Sequence, residues 1–531
     1  GVRWGVVGLY LVVAGAVILL AGERLGTEIF PKVEAGQIQV RLRGPTGTEL
    51  SGTESIALRA LELIKEEVRP ENVALTLGFL GVHGAAYPIN FIYLWNGGPE
   101  EGVLQVQLKA GAPIKIEPLK ERLRKVFAEQ LPGVSFSFEP SDIVSRVMSL
   151  GSPTPIEVAI SGQNLAADHD FGEQVKAALQ RISSLRDLQF GQALDYPTVD
   201  VNVDREKAGV IGARMADVSR ALVTATSSSR FVVPNYWADP NSGVAYQVQV
   251  QVPQARMTSL EQLKNVPVLE RDGQSVLLRN VAKVTESRAV GQYERYNMQR
   301  MVTVTANVEG ADLGSVAKEV NQALQKLGQP PAGITLTVRG QIVPLLEMLN
   351  GLRTGLLMAI VVIFLLLAAN FQSLKLSFLV ISTIPAVIAG VVLMLWATGT
   401  TLNIQSFMGA IMAVGVAVAN AILLVTFAER SRLEGASAAE AAIEGGRSRL
   451  RAILMTSFAM IAGMIPMAIG FGEGGEQTAP LGRAVVGGLA GATVATLLVL
   501  PSVFALVQAR AHRRSASLDP TDPLSSAAES A

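Results

Sequence analysis

Six runs of the chain contain no Asp, Glu, Lys or Arg: residues 4–21, 355–369, 376–397, 404–428, 452–471 and 484–507. A helix needs about 20 residues to cross a hydrocarbon layer of about 30 Å, so each run predicts a membrane span. Between the first two lies a polar stretch of about 330 residues whose pattern alternates between strand and helix periods. Residues 37–42 alternate as a strand, 53–68 have helical spacing, 91–108 predict strand, turn and strand, 118–130 a second amphipathic helix and 134–138 a strand. That order is βαββαβ. A second such unit starts with a strand at 155–161, a helix at 171–182 and a strand ending near 203, then breaks off at about 204–292. It resumes with a strand at 301–308, a helix at 313–327 and a strand at 334–339, while the interruption has its own helix (216–225) and strands (245–252, 275–278). The expected class is an α+β membrane protein, a six-helix half-bundle carrying two ferredoxin-like βαβ subdomains, one with an insert. The boundaries expected are 1–22, 23–150, 151–203, 204–292, 293–345 and 346–510, with a disordered tail over 511–531.

Charge orients the spans, because Lys and Arg accumulate in cytoplasmic connections. The segment 429–451 carries five arginines, Lys375 sits between the second and third runs, and Arg510, Arg513 and Arg514 follow the last. Segments 398–403 and 472–482 contain neither Lys nor Arg. Alternation then puts both chain ends inside and the large polar region outside the cytoplasmic membrane.

The formal charge balances at 45 basic against 45 acidic residues, which gives no reason to expect nucleic acid as a partner. With no cysteine there is neither disulfide nor thiolate metal site, and His83, His169 and His512 are too scattered to predict a zinc cluster. No nucleophile–base pair, phosphate loop or metal-ligand cluster points to an enzyme. A chain that opens on Gly1 and enters an apolar run at once is expected to be a fragment or a processed form. Polar groups inside a span call for a reason, and Asn420 is one. Gly415, Ala417, Ala419 and Ala421 predict a small-residue face for close helix packing, as do Gly487, Gly488 and Gly491. Pro385 and Pro466 are expected to kink their helices.

Five strings follow one another on these elements: Phe30-Pro-Lys-Val-Glu-Ala-Gly36, Val201-Asn-Val-Asp-Arg-Glu-Lys-Ala-Gly209 with Asp217-Val218, Gly415-Val-Ala-Val-Ala-Asn-Ala-Ile-Leu-Leu-Val425, Arg449-Leu-Arg-Ala-Ile-Leu-Met-Thr-Ser457 and Pro480-Leu-Gly-Arg-Ala-Val-Val-Gly-Gly488. With them the chain resembles the C-terminal half of a resistance-nodulation-division (RND) efflux permease of the acriflavine-resistance, hydrophobe-amphiphile type. The resemblance implies porter subdomains with an inserted docking subdomain. It also implies a homotrimer in the bacterial inner membrane, joined to the missing N-terminal half, a periplasmic adaptor and an outer-membrane channel. Drugs or other amphiphiles would leave in exchange for protons, with the proton gradient and no cofactor as the drive, and membrane lipid as surroundings.

The same resemblance assigns residues. Ala419 falls where drug-exporting relatives have the relay lysine, and Asn420 beside it can hydrogen-bond a carboxylate but cannot take its proton. Arg449 and Thr456 match retained relay positions, although for Arg449, between Arg447 and Arg451, a cytoplasmic anchor is the favoured reading. The substrate route implies Phe79, His83, Tyr87 and Phe91, in or beside a glycine-rich loop at 78–88, and Met148 falls where metal exporters place a thioether. Export of heavy-metal cations or lipids, a protein-export accessory role and a non-functional remnant are the other readings.

Overall fold

The computed structural model describes residues 2–31, 36–82, 96–253, 256–271, 273–472 and 474–509. It forms two compact units, residues 1–44, 50–191 and 294–531 in one and 45–49 with 192–293 in the other.

The larger unit begins with helix α1 (Val2–Gly22) and then builds a βαββαβ layer from β1 (Gln37–Arg43), α2 (Leu50–Val68), β2 (Val73–Leu80), β3 (Glu101–Leu108), α3 (Ile116–Gln130) and β4 (Ser135–Glu139). The sheet order is β2-β3-β1-β4, antiparallel throughout. Alternation in β1 sends Ile38, Val40 and Leu42 to one face, where they meet Ala60, Ile64, Leu119, Leu123 and Phe127 of the two helices. Each such large side chain contributes about 1.5–3 kcal/mol on burial. The second strand differs from expectation: β2 lies at Val73–Leu80 rather than after residue 91, and residues 83–95 are outside the described residues. It is an edge strand whose Leu75, Leu77 and Phe79 alternate with Thr76 and Gly78, and Leu75 and Leu77 are exposed.

After a short helix α4 (Ile143–Met148), a second layer of the same order is made from β5 (Ile156–Ser161), α5 (Leu165–Leu179), β6 (Leu185–Phe190), β14 (Gln299–Val308), α10 (Leu313–Lys326) and β15 (Thr335–Gly340). Strand β14 pairs with both β5 and β6, and β15 with β5. The strand that ends at Val203 is not part of this sheet. It is β7 (Tyr196–Val203), which pairs with β12 (Ala282–Ala289) inside the smaller unit. That unit packs Val218 of α7 (Met215–Thr226) with Leu263, Leu278 and Val281, and carries a hairpin, β8 (Asn235–Ala238) and β9 (Ala245–Val248), exposed at every position.

Six helical stretches are long and apolar enough to cross a membrane among the described residues. Besides α1 they are α11 (Ile342–Phe371), α12 (Leu374–Ile381) continued by α13 (Ile384–Ala397), α14 (Ile404–Leu433), α15 (Ala438–Ile469), and α16 (Gly475–Val494) continued through a π-turn at Ala495–Val499 into α17 (Leu500–Val507). Several overrun their apolar runs. Most of the charged segment after residue 428 is helix, because Ser437 caps α15 and exchanges hydrogen bonds with Glu440. Pro385 stands in the first turn of α13, after a break at Ser382 and Thr383, whereas Pro466 sits inside a continuous α15. Arg483, just before the last apolar run, is inside α16 and donates to the Ala468 carbonyl (2.9 Å) and the Thr400 hydroxyl (2.6 Å).

The second layer is joined to the helices through a shared core, in which Ile342, Leu345 and Leu349 of α11 and Phe407 of α14 pack with Leu313, Val316 and Val320 of α10. A polar clasp reinforces the junction. The Asp312 carboxylate accepts from the N–H of Thr27 (2.8 Å) and of Ser315 (2.9 Å), and Leu402 N–H donates to Gly26 O (2.8 Å). Burial alone would raise the Asp312 pKa, but these donors outweigh it and hold the carboxyl below its ordinary range. A depressed carboxyl contributes stability that is present above its unfolded pKa and is lost as pH falls through the folded one. Asp312→Ala is therefore expected to cost about 1–2 kcal/mol at neutral pH, and the gap in melting temperature between parent and variant should close in acid.

Candidate functional site

The two βαββαβ layers of the larger unit meet through polar faces. On the first, Arg41 Nε donates to Glu139 Oε1 (2.5 Å), Gln39 Nε2 to Glu139 Oε2 (2.9 Å), and Arg43 Nε to Glu101 Oε1 (2.6 Å). Arg43 then crosses to the second layer and donates to the carbonyls of Phe190 (2.9 Å) and Gly191 (2.6 Å). Asp187 of β6 answers from the other side, accepting from Arg124 (2.8 and 2.9 Å), Asn307 (2.9 Å) and the Phe138 N–H (3.0 Å). Glu157 is buried on β5 with Arg339 at 3.2 Å, and burial pushes its carboxyl up against the pull of that arginine. Buried charges of this kind persist only when paired.

Beside this seam a cavity of about 180 Å³ opens, with Glu28, Glu117, Asp142 and Glu309 on its walls against Lys120 and Arg124. Glu117 pairs with Lys120 (2.9 Å), and Asp142 caps α4 through the Ser145 N–H (2.8 Å). Met148, the last residue of α4, lines the cavity and also packs on the core of the second layer. Among the described residues no three His, Asp or Glu side chains come together as a ready metal site.

Of the other residues assigned to a substrate route, Phe79 lies on the edge strand β2, opposite Val103, and its carbonyl accepts from Asn96 (3.2 Å). His83, Tyr87 and Phe91 lie outside the described residues.

In the helices, the three residues assigned to a relay do not converge. Asn420 is 7% exposed in α14 and has no hydrogen-bond partner among the described residues. The Arg449 guanidinium is stacked on Phe427, 3.6 Å from the ring centroid, with its Nε buried and unbonded. Phe427 is seven residues beyond Asn420 on α14, a rise of about 10 Å at 1.5 Å per residue. Thr456 is exposed, and its hydroxyl turns back to the carbonyls of Ala452 and Ile453.

The small-residue face expected at 415–421 also divides. Ala417 and Ala421 are buried in the bundle core, while Gly415 and Ala419 are exposed, and a Cβ on Gly415 would meet nothing within 4 Å among the described residues. The reason is helical geometry: residues two apart point to opposite sides, residues four apart to the same one. Gly487 and Gly488 are buried at real contacts, a Cβ on Gly487 falling 2.5 Å from the Gly390 carbonyl oxygen and one on Gly488 2.5 Å from the Ala413 Cβ.

The profile of the AcrB/AcrD/AcrF family matches residues 2–508. Among curated proteins, the cobalt-zinc-cadmium resistance protein CzcA of Cupriavidus metallidurans is 29% identical over 517 residues, covering 94% of this chain and 46% of that one. Protein HelA of Legionella pneumophila is 26% identical (94% and 47% covered), and the swarming motility protein SwrC of Bacillus subtilis 24% (92% and 45%). A crystal structure of a heavy metal efflux pump superposes with a TM-score of 0.83 at 24% identity, covering 96% of this chain and 51% of that one. The chain thus spans about half the length of the curated relatives it matches. Of these relatives, CzcA of Cupriavidus metallidurans is named for cobalt, zinc and cadmium rather than for drugs, the type to which the motifs bear a resemblance. On the strength of the match along nearly its whole length and of the shared fold, the chain is a multi-pass membrane protein of the AcrB/AcrD/AcrF family, that is, of the RND transporters.

Proposed function

We propose that this chain is the C-terminal-half-like region of a proton-driven RND permease that exports divalent heavy-metal cations. The observation that carries the cation reading is the cavity between the βαββαβ layers, where four carboxylates face two cationic groups and Met148 adds a soft ligand. The metal-resistance relatives support the same substrate class. Carboxylates that are not gathered into a fixed cage suit a cargo that must be released as readily as it is taken up.

In this reading the two layers are the porter subdomains and the smaller unit is the docking subdomain. The permease is a trimer in the bacterial inner membrane with both ends of this region cytoplasmic, and it works with a periplasmic adaptor and an outer-membrane channel. The remainder of the permease supplies the titratable carboxylates of the coupling step. Asn420, buried with no partner among the described residues, is a group on α14 that can hydrogen-bond such a carboxylate, and the exposed Gly415 and Ala419 leave room for its helix to approach.

The test is growth of a strain lacking its own exporters, carrying the complete transporter gene, on cobalt, zinc and cadmium salts and on cationic dyes. A several-fold gain in metal tolerance, lost in Glu309→Gln and reduced in Met148→Leu, is expected. Gain on dyes alone would replace the cation reading with amphiphile export. Asn420→Ala should lower metal efflux without lowering the amount of protein in the membrane.

A further inference from the structure

The third span, α12 continued by α13, breaks at Ser382 and Thr383, and a different helix bridges the break. In an unbroken helix the Ala386 N–H would donate to the Ser382 carbonyl four residues back. Here the Tyr10 hydroxyl of α1 stands between them. It donates to the Ser382 carbonyl (2.7 Å) and accepts from the Ala386 N–H (3.1 Å), which also reaches the Thr383 carbonyl (3.1 Å). Pro385, with no N–H to offer the Ile381 carbonyl, weakens the ladder at the same point. A side chain set into the i→i−4 ladder is one of the few causes of a sharp helix bend.

The two halves of this span are held by different neighbours. Leu376, Leu379 and Val380 of α12 sit in the bundle core with Val418 and Val425 of α14, whereas Gly390 of α13 meets the backbone of Gly487 and Gly491 of α16. The helix that supplies the hydroxyl is lightly held. Among the described residues of α1 only Ala14 is fully buried, one turn from Tyr10 on the same face, and Leu9, Leu11 and Val12 are exposed. Backbone groups inside a bilayer must be paired. The Ser382 carbonyl and the Ala386 N–H have two ways of meeting that demand: through Tyr10 with the break open, or with each other once the hydroxyl withdraws.

We propose that Tyr10 is the latch of a two-state hinge: α1 docked holds the third span broken at Ser382, and α1 released lets α12 and α13 close into one helix. Docking of α1 and the bend of the third span are then linked in both directions, since whatever biases one shifts the other. The hinge lies within the helices and needs nothing from the cation reading, so it stands or falls separately.

Tyr10→Phe tests it, because the change removes the hydroxyl and keeps the ring. Spin labels on Leu20→Cys of α1 and Ile469→Cys at the end of α15, both exposed in a chain without native cysteine, report the position of α1 in the purified transporter in nanodiscs. With Tyr10 present the distance distribution should have one narrow component, and Tyr10→Phe should add a second, longer one. Amide exchange over residues 379–390 should be no faster in Tyr10→Phe, because Ser382 and Ala386 then pair with each other. A distribution unchanged by Tyr10→Phe would show that the ring rather than the hydroxyl holds α1, and exchange several-fold faster over 379–390 would show that the break has no second pairing. Either result overturns the proposal.

Discussion

Gly487→Leu is expected to prevent the helical bundle from assembling, with a loss of about 3 kcal/mol or more and no monodisperse protein after detergent extraction. Gly487 on α16 faces Gly390 on α13, and a Cβ placed there would lie 2.5 Å from the Gly390 carbonyl oxygen and closer still to Met394 Cβ. The obstacles are backbone and Cβ atoms rather than the tip of a flexible side chain, so only separation of the helices could make room. One turn on, Gly491 approaches Gly390 again, its Cβ falling 3.3 Å from the Gly390 Cα. With no water to expel inside a bilayer, close approach of this kind is the main source of attraction between helices. Gly415→Leu is the matched control. Among the described residues nothing outside its own helix backbone lies within 4 Å of a Cβ built there, so the same added volume should leave the stability of this bundle unchanged and affect only what docks against it. The contrast is read by fluorescence-detected size exclusion of the two variants.

The second large effect is expected at Arg41→Met, at about 3–5 kcal/mol, the range for a buried ion pair broken on one side. Arg41 is 6% exposed, and its carboxylate neighbours Glu139 and Glu101 are each 3% exposed. Removing the guanidinium leaves Glu139 with only Gln39 as a hydrogen-bond donor from β1 and strands negative charge between the two layers. Arg41→Met combined with Glu139→Gln should recover a substantial part of the loss, because the second change removes the stranded charge. Thermal melts of the parent, both single variants and the double variant check this, and equal losses in Arg41→Met and the double would show the seam to depend on shape rather than charge.

The parts of this fold that were legible in the sequence are those where the solvent dictates the pattern. Lipid forbids unpaired charge, so the six apolar runs announce six spans. Period-two alternation with a helix-period neighbour announces the two βαββαβ layers. What escaped notice follows from the same physics. The polar face of β1, with Gln39, Arg41 and Arg43, has the alternation of a strand facing water, yet it is covered by a second layer that neutralises it. No local pattern distinguishes a polar face meeting solvent from one meeting a complementary polar face. Strand β2 has a period-two pattern, Leu75, Leu77 and Phe79 against Thr76 and Gly78, so its pattern alone announces a strand, although at the sheet edge Leu75 and Leu77 end up exposed. Helix ends were placed too early because charge stops a membrane span without stopping a helix, as Glu429, Arg430 and Arg432 continue α14. The relay residues were grouped by resemblance to a motif, whereas α14 and α15 place Asn420 and Arg449 at different depths, with Arg449 occupied by Phe427.

The central claim is topological: the βαββαβ layers and the smaller unit stand on the opposite side of the membrane from the arginine-rich turn between α14 and α15. The chain contains no cysteine, so a single introduced thiol reports without background. Ser242→Cys, exposed in the smaller unit, and Glu434→Cys, exposed at the end of α14, are made separately in the complete transporter and treated with a membrane-impermeant maleimide in spheroplasts. The account predicts labelling of Ser242→Cys in intact spheroplasts and of Glu434→Cys only after lysis. Labelling of Glu434→Cys from outside, or protection of Ser242→Cys until lysis, would contradict it.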